Sequence, residues 1–432
     1  MKMQAINRFA LSVGVAAFLA SCGGSQPPIA APGAIPQTSA FAAHANGSNY
    51  KILYSFGAAP DGENPVASLI DVGGTLYGTT EYGGLYSQGS YYYGCGGTIF
   101  SVTTAGTEKV LQSFCHGYDG AQPLAGLVNV KGVLYGTTSS GGTHDRGTIF
   151  GATPSGTENV LKSFSGKRDG GNPTGALIDV GGKLYGTTRA GGSHKARGGK
   201  GTVFVITTGG AEKVLHRFSG APDGEKPYAD LVDVGGKLYG TTTFGGAYGG
   251  GTVFTITTRG AEKVIYSFRG SPDGELPVAG LVDVGGMLYG STTAGGAYTS
   301  CARGGCRRVV CTGGCGTVYS ITPSGNEKVL HSFGNGADGI DPTGSLVAVK
   351  GTLYGTTSEG GADTCPFGCG TVFSITMSGA ESVVYSFGTY PDGNTPSAGL
   401  LAVGGTLYGT TTFGGMTGNG TVFALTPSSR PK

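Results

Sequence analysis

The chain has 432 residues, of which 87 are glycine and 12% are charged; 28 Lys and Arg against 26 Asp and Glu give a formal net charge of +2. Charge this sparse, with no basic patch or run, argues against nucleic acid as a partner. The glycine has no three-residue period, which excludes collagen, and its regular spread among Val, Thr, Tyr and Phe marks tight turns between short strands rather than disorder.

In chain order, the first residues have the pattern of an export signal. Lys2 and Arg8 are positive, and Phe9 to Ala20 form an apolar stretch too short to span a bilayer as a helix. Leu19-Ala20-Ser21-Cys22 resembles the lipobox of bacterial lipoproteins. That resemblance implies a signal peptide at 1–21, lipidation of Cys22 and a membrane anchor at the cell envelope. The alternative is an ordinary signal peptide with an incidental cysteine. Gly23, standing where Asp would retain the protein inside, favours the outer membrane or cell surface. Loss of residues 1–21 removes Lys2 and Arg8, leaving 26 basic against 26 acidic residues and a formally neutral mature chain. Residues 22–49 are rich in Pro, Ala, Ser and Gly without an apolar period and read as a flexible tether.

Folded sequence is expected over 50–427, with 428–432 a short tail. It opens with a lone strand, Tyr50-Lys51-Ile52-Leu53-Tyr54-Ser55-Phe56. Then a Leu-Tyr-Gly followed by two hydroxyl residues recurs seven times, beginning at Leu76, Leu134, Leu184, Leu238, Leu288, Leu353 and Leu407. A period of about 50 residues marks a unit that buries its faces only against copies of itself. The fourth unit shows four strand-like runs: A at 229–234, a Gly235-Gly236 turn, B at 237–242, C at 251–257 and D at 262–268. No segment sustains a helical period. The last unit stops after its C run, Gly420-Thr421-Val422-Phe423-Ala424-Leu425-Thr426, and so lacks its own D. If residues 50–56 supply it, the exposed edge disappears and the ends lock together. The expected fold is therefore an all-β, seven-bladed β-propeller with four antiparallel strands per blade, closed by the N-terminal strand in the last blade.

The recurring Asp-Gly-x-x-Pro, Leu-Val-Asp-Val-Gly-Gly-x-Leu-Tyr-Gly-Thr-Thr, Gly-Thr-Val-Phe and Gly-x-Glu-x-Val-Leu-x-Ser-Phe segments resemble the GloVer tandem repeat of exported and surface bacterial proteins, over about residues 50–427. The strand order is more distantly similar to quinoprotein-type and kelch propellers. Their Trp signatures are missing from this chain, which has no Trp, so no cofactor is carried over and none is expected.

Strand order puts the A-to-B and C-to-D turns on one side and the B-to-C and D-to-A connections on the other. Between strand B and the glycine opening strand C, the loops hold 16, 8, 12, 8, 23, 12 and 8 residues. Long variable loops on a rigid scaffold are where binding resides, so this face is the candidate functional surface. Its aromatic residues are the candidate binding set: Tyr82, Tyr86, Tyr91, Tyr92, Tyr93, Phe244, Tyr248, Tyr298 and Phe413. Packing of loop against loop is the alternative role for several of them. Eight cysteines lie on the same face, and export favours disulfides: Cys95 with Cys115, Cys365 with Cys369, and Cys301, Cys306, Cys311 and Cys315 in an undetermined pairing. A zinc site made by those last four is disfavoured because the C-x₂-C spacing is absent. Seven Asp-Gly pairs, at Asp61, Asp119, Asp169, Asp223, Asp273, Asp338 and Asp392, cap D-to-A turns, with a calcium-binding ring as the alternative; no metal is expected. His216 and His331 read as solvated outer-strand residues. No Walker, Rossmann or catalytic-triad motif appears. The expectation is a lipid-anchored, monomeric binding module for a glycan or a protein partner, leaning away from an enzyme. An extracellular polysaccharide hydrolase or lyase is the alternative.

Overall fold

The computed structural model describes residues 49–85, 96–114, 117–193, 199–298, 314–335, 338–361, 365 and 368–428. Seven antiparallel sheets of four strands follow one another around a ring, and among the described residues there is no helix. In the fourth blade the strands are Val232–Val234, Lys237–Thr242, Thr252–Thr257 and Glu262–Ser267, in the spatial order A, B, C, D. The seventh sheet is completed by Asn49–Ser55, which pairs antiparallel with Thr421–Thr426 from Asn49↔Thr426 to Ser55↔Thr421. No blade is left with an open edge on its C strand.

Strand A is shorter than the sequence pattern suggests. Ala229 and Asp230 leave the ladder to line the central channel while Leu231 turns into the blade interface, and the Ala229 carbonyl accepts a hydrogen bond from Thr187 Oγ1 of the preceding blade at 3.0 Å. The C–D pairing slips between Val253 and Phe254, leaving Ile265 without a partner, and an equivalent bulge occurs in every blade. A bulge increases local twist, which lets each sheet fan against the next.

The core consists of seven hydrophobic clusters, one at each blade interface. At the centre of each, the Phe ending strand D meets the aromatic ring of strand C in the next blade, with centroids 5.0 to 5.5 Å apart. Phe56 does this for the joint, against Phe100 at 5.0 Å. Strands B and C are buried on both faces because a neighbouring blade covers each, so they read as near-continuous apolar and Thr runs instead of alternating.

The repeated phrase is a set of contacts. Leu238 packs into the interface with the third blade and Tyr239 into that with the fifth. Gly240 lies under Phe254 and Leu231, where a Cβ would fall 2.7 and 2.8 Å from their side-chain carbons. Thr241 Oγ1 donates to the Ala279 carbonyl of the next blade at 3.3 Å, and Thr242 Oγ1 meets Thr252 Oγ1 at 2.8 Å. The second hydroxyl makes that Thr–Thr bond in all seven blades. The second hydroxyl is buried and partnered in every blade, and the first is partnered in most, Thr137 being an exception whose hydroxyl has no partner.

Candidate functional site

The D-to-A and B-to-C connections form one face, as the strand order requires. They are tied together in each blade by a short ribbon or bridge, such as Gly224↔Gly245 or Ala121↔Ser140. The residue before each inter-blade proline, from Asn64 to Thr395, has φ between 54° and 60°, although none of the seven is glycine. For Leu276 and Thr395 this is costly backbone, of order 1–3 kcal/mol each. It is held from both sides: Leu276 N–H donates to the Gly250 carbonyl of the previous blade at 2.9 Å, and its carbonyl accepts from Thr293 N–H at 3.2 Å. The proline that follows, Pro277, presses on Gly251, whose φ is +99° and where a Cβ would lie 2.7 Å from Pro277 Cδ. The face is thus a rigid, sevenfold platform from which the variable loops project.

The Asp-Gly pairs serve that platform. Asp273 Oδ1 accepts Gly274 N–H at 2.6 Å, and its Oδ2 accepts Arg269 N–H at 3.0 Å and the Tyr266 hydroxyl at 2.8 Å. The strand D position that reaches this aspartate varies, and it explains the histidines. His216 Nε2 lies 3.2 Å from Asp223 Oδ2 and His331 Nε2 3.1 Å from Asp338 Oδ2, while Lys162 pairs with Asp169 at 3.3 Å. His216 and His331 are therefore half-buried turn clamps, not solvated residues; the outer strand looks open in sequence, but the D-to-A turn folds back over its end.

A glutamate at the start of the next blade's strand D completes six of the seven clusters. Glu327 Oε2 lies 3.2 Å from the Tyr266 hydroxyl oxygen, whose proton goes to the nearer Asp273. Glu108, Glu158, Glu212, Glu262, Glu327 and Glu381 each keep one buried carboxyl oxygen without a hydrogen-bond partner. Burial, reinforced by the nearby aspartate, pushes Glu108 up to about 8 and Glu158 and Glu327 up to about 7. At the last interface Tyr50 takes the glutamate's place and donates to Asp392 Oδ1 at 2.7 Å. Among the described residues, His216, Asp223 and Glu262 are the one group whose ligand atoms all lie within 4.8 Å of one another, as a metal would require. Lys or Tyr stands in for the histidine in neighbouring blades, so the arrangement follows from the repeat.

The described aromatic candidates all reach solvent: Tyr82, Phe244, Tyr248, Tyr298 and Phe413. Tyr86, Tyr91, Tyr92 and Tyr93 lie outside the described residues, as do Cys22, Cys95, Cys115, Cys301, Cys306 and Cys311. Cys365 and Cys369 form a disulfide, and Cys315 is buried and disulfide-bonded. The structure adds Leu85, Tyr118, Tyr390 and Met416 to the exposed set. Tyr118 and Tyr390 sit on D-to-A connections, which vary less in length than the B-to-C loops and drew no notice in sequence. Cations lie over two of the rings, Lys226 Nζ 4.8 Å from the Phe244 centroid and the Arg269 guanidinium 4.9 Å from that of Tyr248.

Two cavities open near this face. One, of ≈ 550 Å³, is the central channel, lined by the segment after each inter-blade proline; it contains Asp230, which sequence reading passed over as part of strand A. The other, of ≈ 630 Å³, lies between the outer strands of the seventh and first blades and is lined by Tyr54, Asp61, Leu85 and Glu108 among others.

This architecture and its loop-bearing face define a seven-bladed β-propeller of tandem repeats. The chain belongs to the Gloeobacter/Verrucomicrobia repeat family, whose pattern matches residues 93–302 and 305–431. No match was found among curated proteins. Similar solved structures include a gluconolactonase from Xanthomonas campestris (12% identity, TM-score 0.39, 66% of this chain and 83% of that one). An α-L-arabinanase from Penicillium chrysogenum complexed with arabinobiose is 12% identical, with a TM-score of 0.43 over 85% of this chain and 96% of that one. Likeness at this level concerns the fold alone.

Proposed function

We propose that the protein is exported, held at the cell envelope through lipidated Cys22, and binds a glycan or protein through its long-loop face. One observation carries the binding role. All nine large hydrophobic side chains exposed among the described residues, from Tyr82 to Met416, sit on B-to-C or D-to-A connections, and the opposite face has none. Tyr118 is 73% and Tyr390 68% exposed, with no blade packed over them. Large apolar groups gathered on one face of a protein mark an interaction site, and Tyr suits sugar rings and protein surfaces alike. The test is a glycan array and an envelope-fragment pull-down with the full chain, beside a triple variant, Tyr248→Ala, Tyr390→Ala, Phe413→Ala. The variant should bind at least about tenfold more weakly with an unchanged melting temperature. Equal binding by both proteins sinks the reading. Detergent-phase partition of the wild type, lost in Cys22→Ser, tests the anchor.

A second reading, hydrolysis of an extracellular polysaccharide, is favoured by the cavity beside the first blade. There Glu108, pushed up to about 8 by burial and by Asp61 beside it, is a carboxyl suited to donate a proton to a bound substrate. Turnover of any glycan abolished by Glu108→Gln would establish this reading over the first.

A further inference from the structure

Three places after each inter-blade proline, the chain puts one residue of every blade on the channel wall. Six of these are Ser, Gly or Ala; the fourth blade has Asp230. Asp230 is half-buried on the channel wall, and burial pushes its pKa above the usual carboxylate range. Among the described residues it has no ion pair and no side-chain partner, and only its own backbone N–H approaches it. Asp179, the other carboxylate on the wall, is already engaged, accepting Gly182 N–H at 2.9 Å. A buried anion without a counter-charge is expensive to keep, which makes Asp230 conspicuous in a repeat that otherwise places small neutral residues there.

The neighbours of Asp230 define what would pair with it. Gly280 of the next blade leaves room at its Cα: a Cβ there would fall 2.2 Å from Asp230 Oδ1 and 3.0 Å from Ser345 Oγ. The carboxylate and the Ser345 hydroxyl therefore converge on one spot. Ser345 Oγ accepts Gly280 N–H at 2.9 Å and keeps a second lone pair. Beyond it, a Cβ on Gly399 would lie 2.9 Å from Ser68 Oγ, so a second hydroxyl follows on the same arc. Nearby main-chain carbonyls are committed to strand B hydroxyls, as Ala279 is to Thr241 and Ala398 to Thr356. A carboxylate and a hydroxyl meeting at one spot suit the N–H groups of an ammonium and fall well short of the six to eight oxygens calcium takes. Val66, Leu124 and Val278 make much of the remaining wall apolar, and ≈ 550 Å³ is within the range of small-molecule sites.

We propose that the central channel binds a small organic ligand carrying a primary ammonium group, with the ammonium on Asp230 and Ser345 and the apolar body along the channel. This site is distinct from the aromatic loop face and does not depend on it. Calorimetric titration of the full chain with hexylamine, hexanol and calcium chloride tests it. Hexylamine should bind, with hexanol and calcium markedly weaker. Asp230→Asn should lower hexylamine affinity at least about thirtyfold while melting at the same temperature or higher. Gly280→Ala, which places a methyl against Oδ1, should weaken it as well, and Asp179→Asn should leave it intact. Equal affinity for hexylamine and hexanol, hexylamine binding undiminished by Asp230→Asn, calcium as the preferred ligand, or no binding by any probe would each overturn the proposal.

Discussion

Replacing Phe56 by alanine measures how much of the ring depends on its joint. Phe56 is fully buried, packs with Leu53, Leu69, Leu76, Val102 and Val422, and meets Phe100 at 75° with centroids 5.0 Å apart. Truncating such a phenylalanine costs about 3–5 kcal/mol, of which the aromatic pair accounts for about 0.5–1.5. Phe218, at an interface far from the joint, has nearly the same setting, 5.2 Å and 69° from Phe254. If residues 49–55 are a full member of the seventh blade, Phe56→Ala and Phe218→Ala destabilise the protein equally, to within about 1 kcal/mol. Urea unfolding followed by tyrosine fluorescence is suited to the comparison, since the chain has 22 Tyr and no Trp. A loss below about 1 kcal/mol for Phe56→Ala, beside 3 or more for Phe218→Ala, would refute the closure argument; the N-terminal strand would then be an accessory on an open fan.

Stability should also depend on pH through the interface glutamates. Glu108, at about 8, and Glu158 and Glu327, at about 7, all lie above the unfolded value of 4.5, so their contribution is complete below that value and is lost as pH rises through about 7 to 8. Asp169 and Asp223, held low by their Ser, Lys and His partners against burial, act oppositely and only in the acid range. Calorimetric melting temperatures should therefore fall between about pH 5 and pH 8, less steeply in Glu327→Gln; a flat wild-type profile contradicts the assignment. Gly251→Ala, forced against Pro277 at φ +99°, should cost at least about 2 kcal/mol, whereas Gly235→Ala, at φ +61° with open space around it, should cost about 1, as chemical denaturation would show. Thr187→Val should lose about 1 kcal/mol with its bond to Ala229, while Thr137→Val, where the buried hydroxyl has no partner, should be neutral or stabilising by the same assay.

The ladder was legible because glycine turns, Gly-Gly in five copies and Lys-Gly in two, and β-branched runs recur at every copy, and the closure because a D run precedes the first unit and none follows the last. What stayed hidden depends on contacts between blades. The retreat of Ala229 from strand A is decided by Thr187 of the previous blade, which no local pattern encodes. His216 looked solvated because only the folded D-to-A turn brings Asp223 to it. The left-handed backbone at Leu276 carries no glycine to announce it, and only the recurring proline after it gives a hint. Asp230 was visible in the letters, as one acid among small residues at the third place after proline. Reading it required knowing that this position faces the axis. The aromatic face was found through loop length, which is why Tyr118 and Tyr390, on connections of more uniform length, were missed.

The pairing of Asn49 with Thr426 has a directional consequence. Both residues lie at the C-to-D turn end of the seventh blade, so the polypeptide enters and leaves the ring on the side away from the aromatic loops. Tyr118, Tyr248 and Tyr390 thus stand on the side of the ring opposite the one where its first and last strands begin and end.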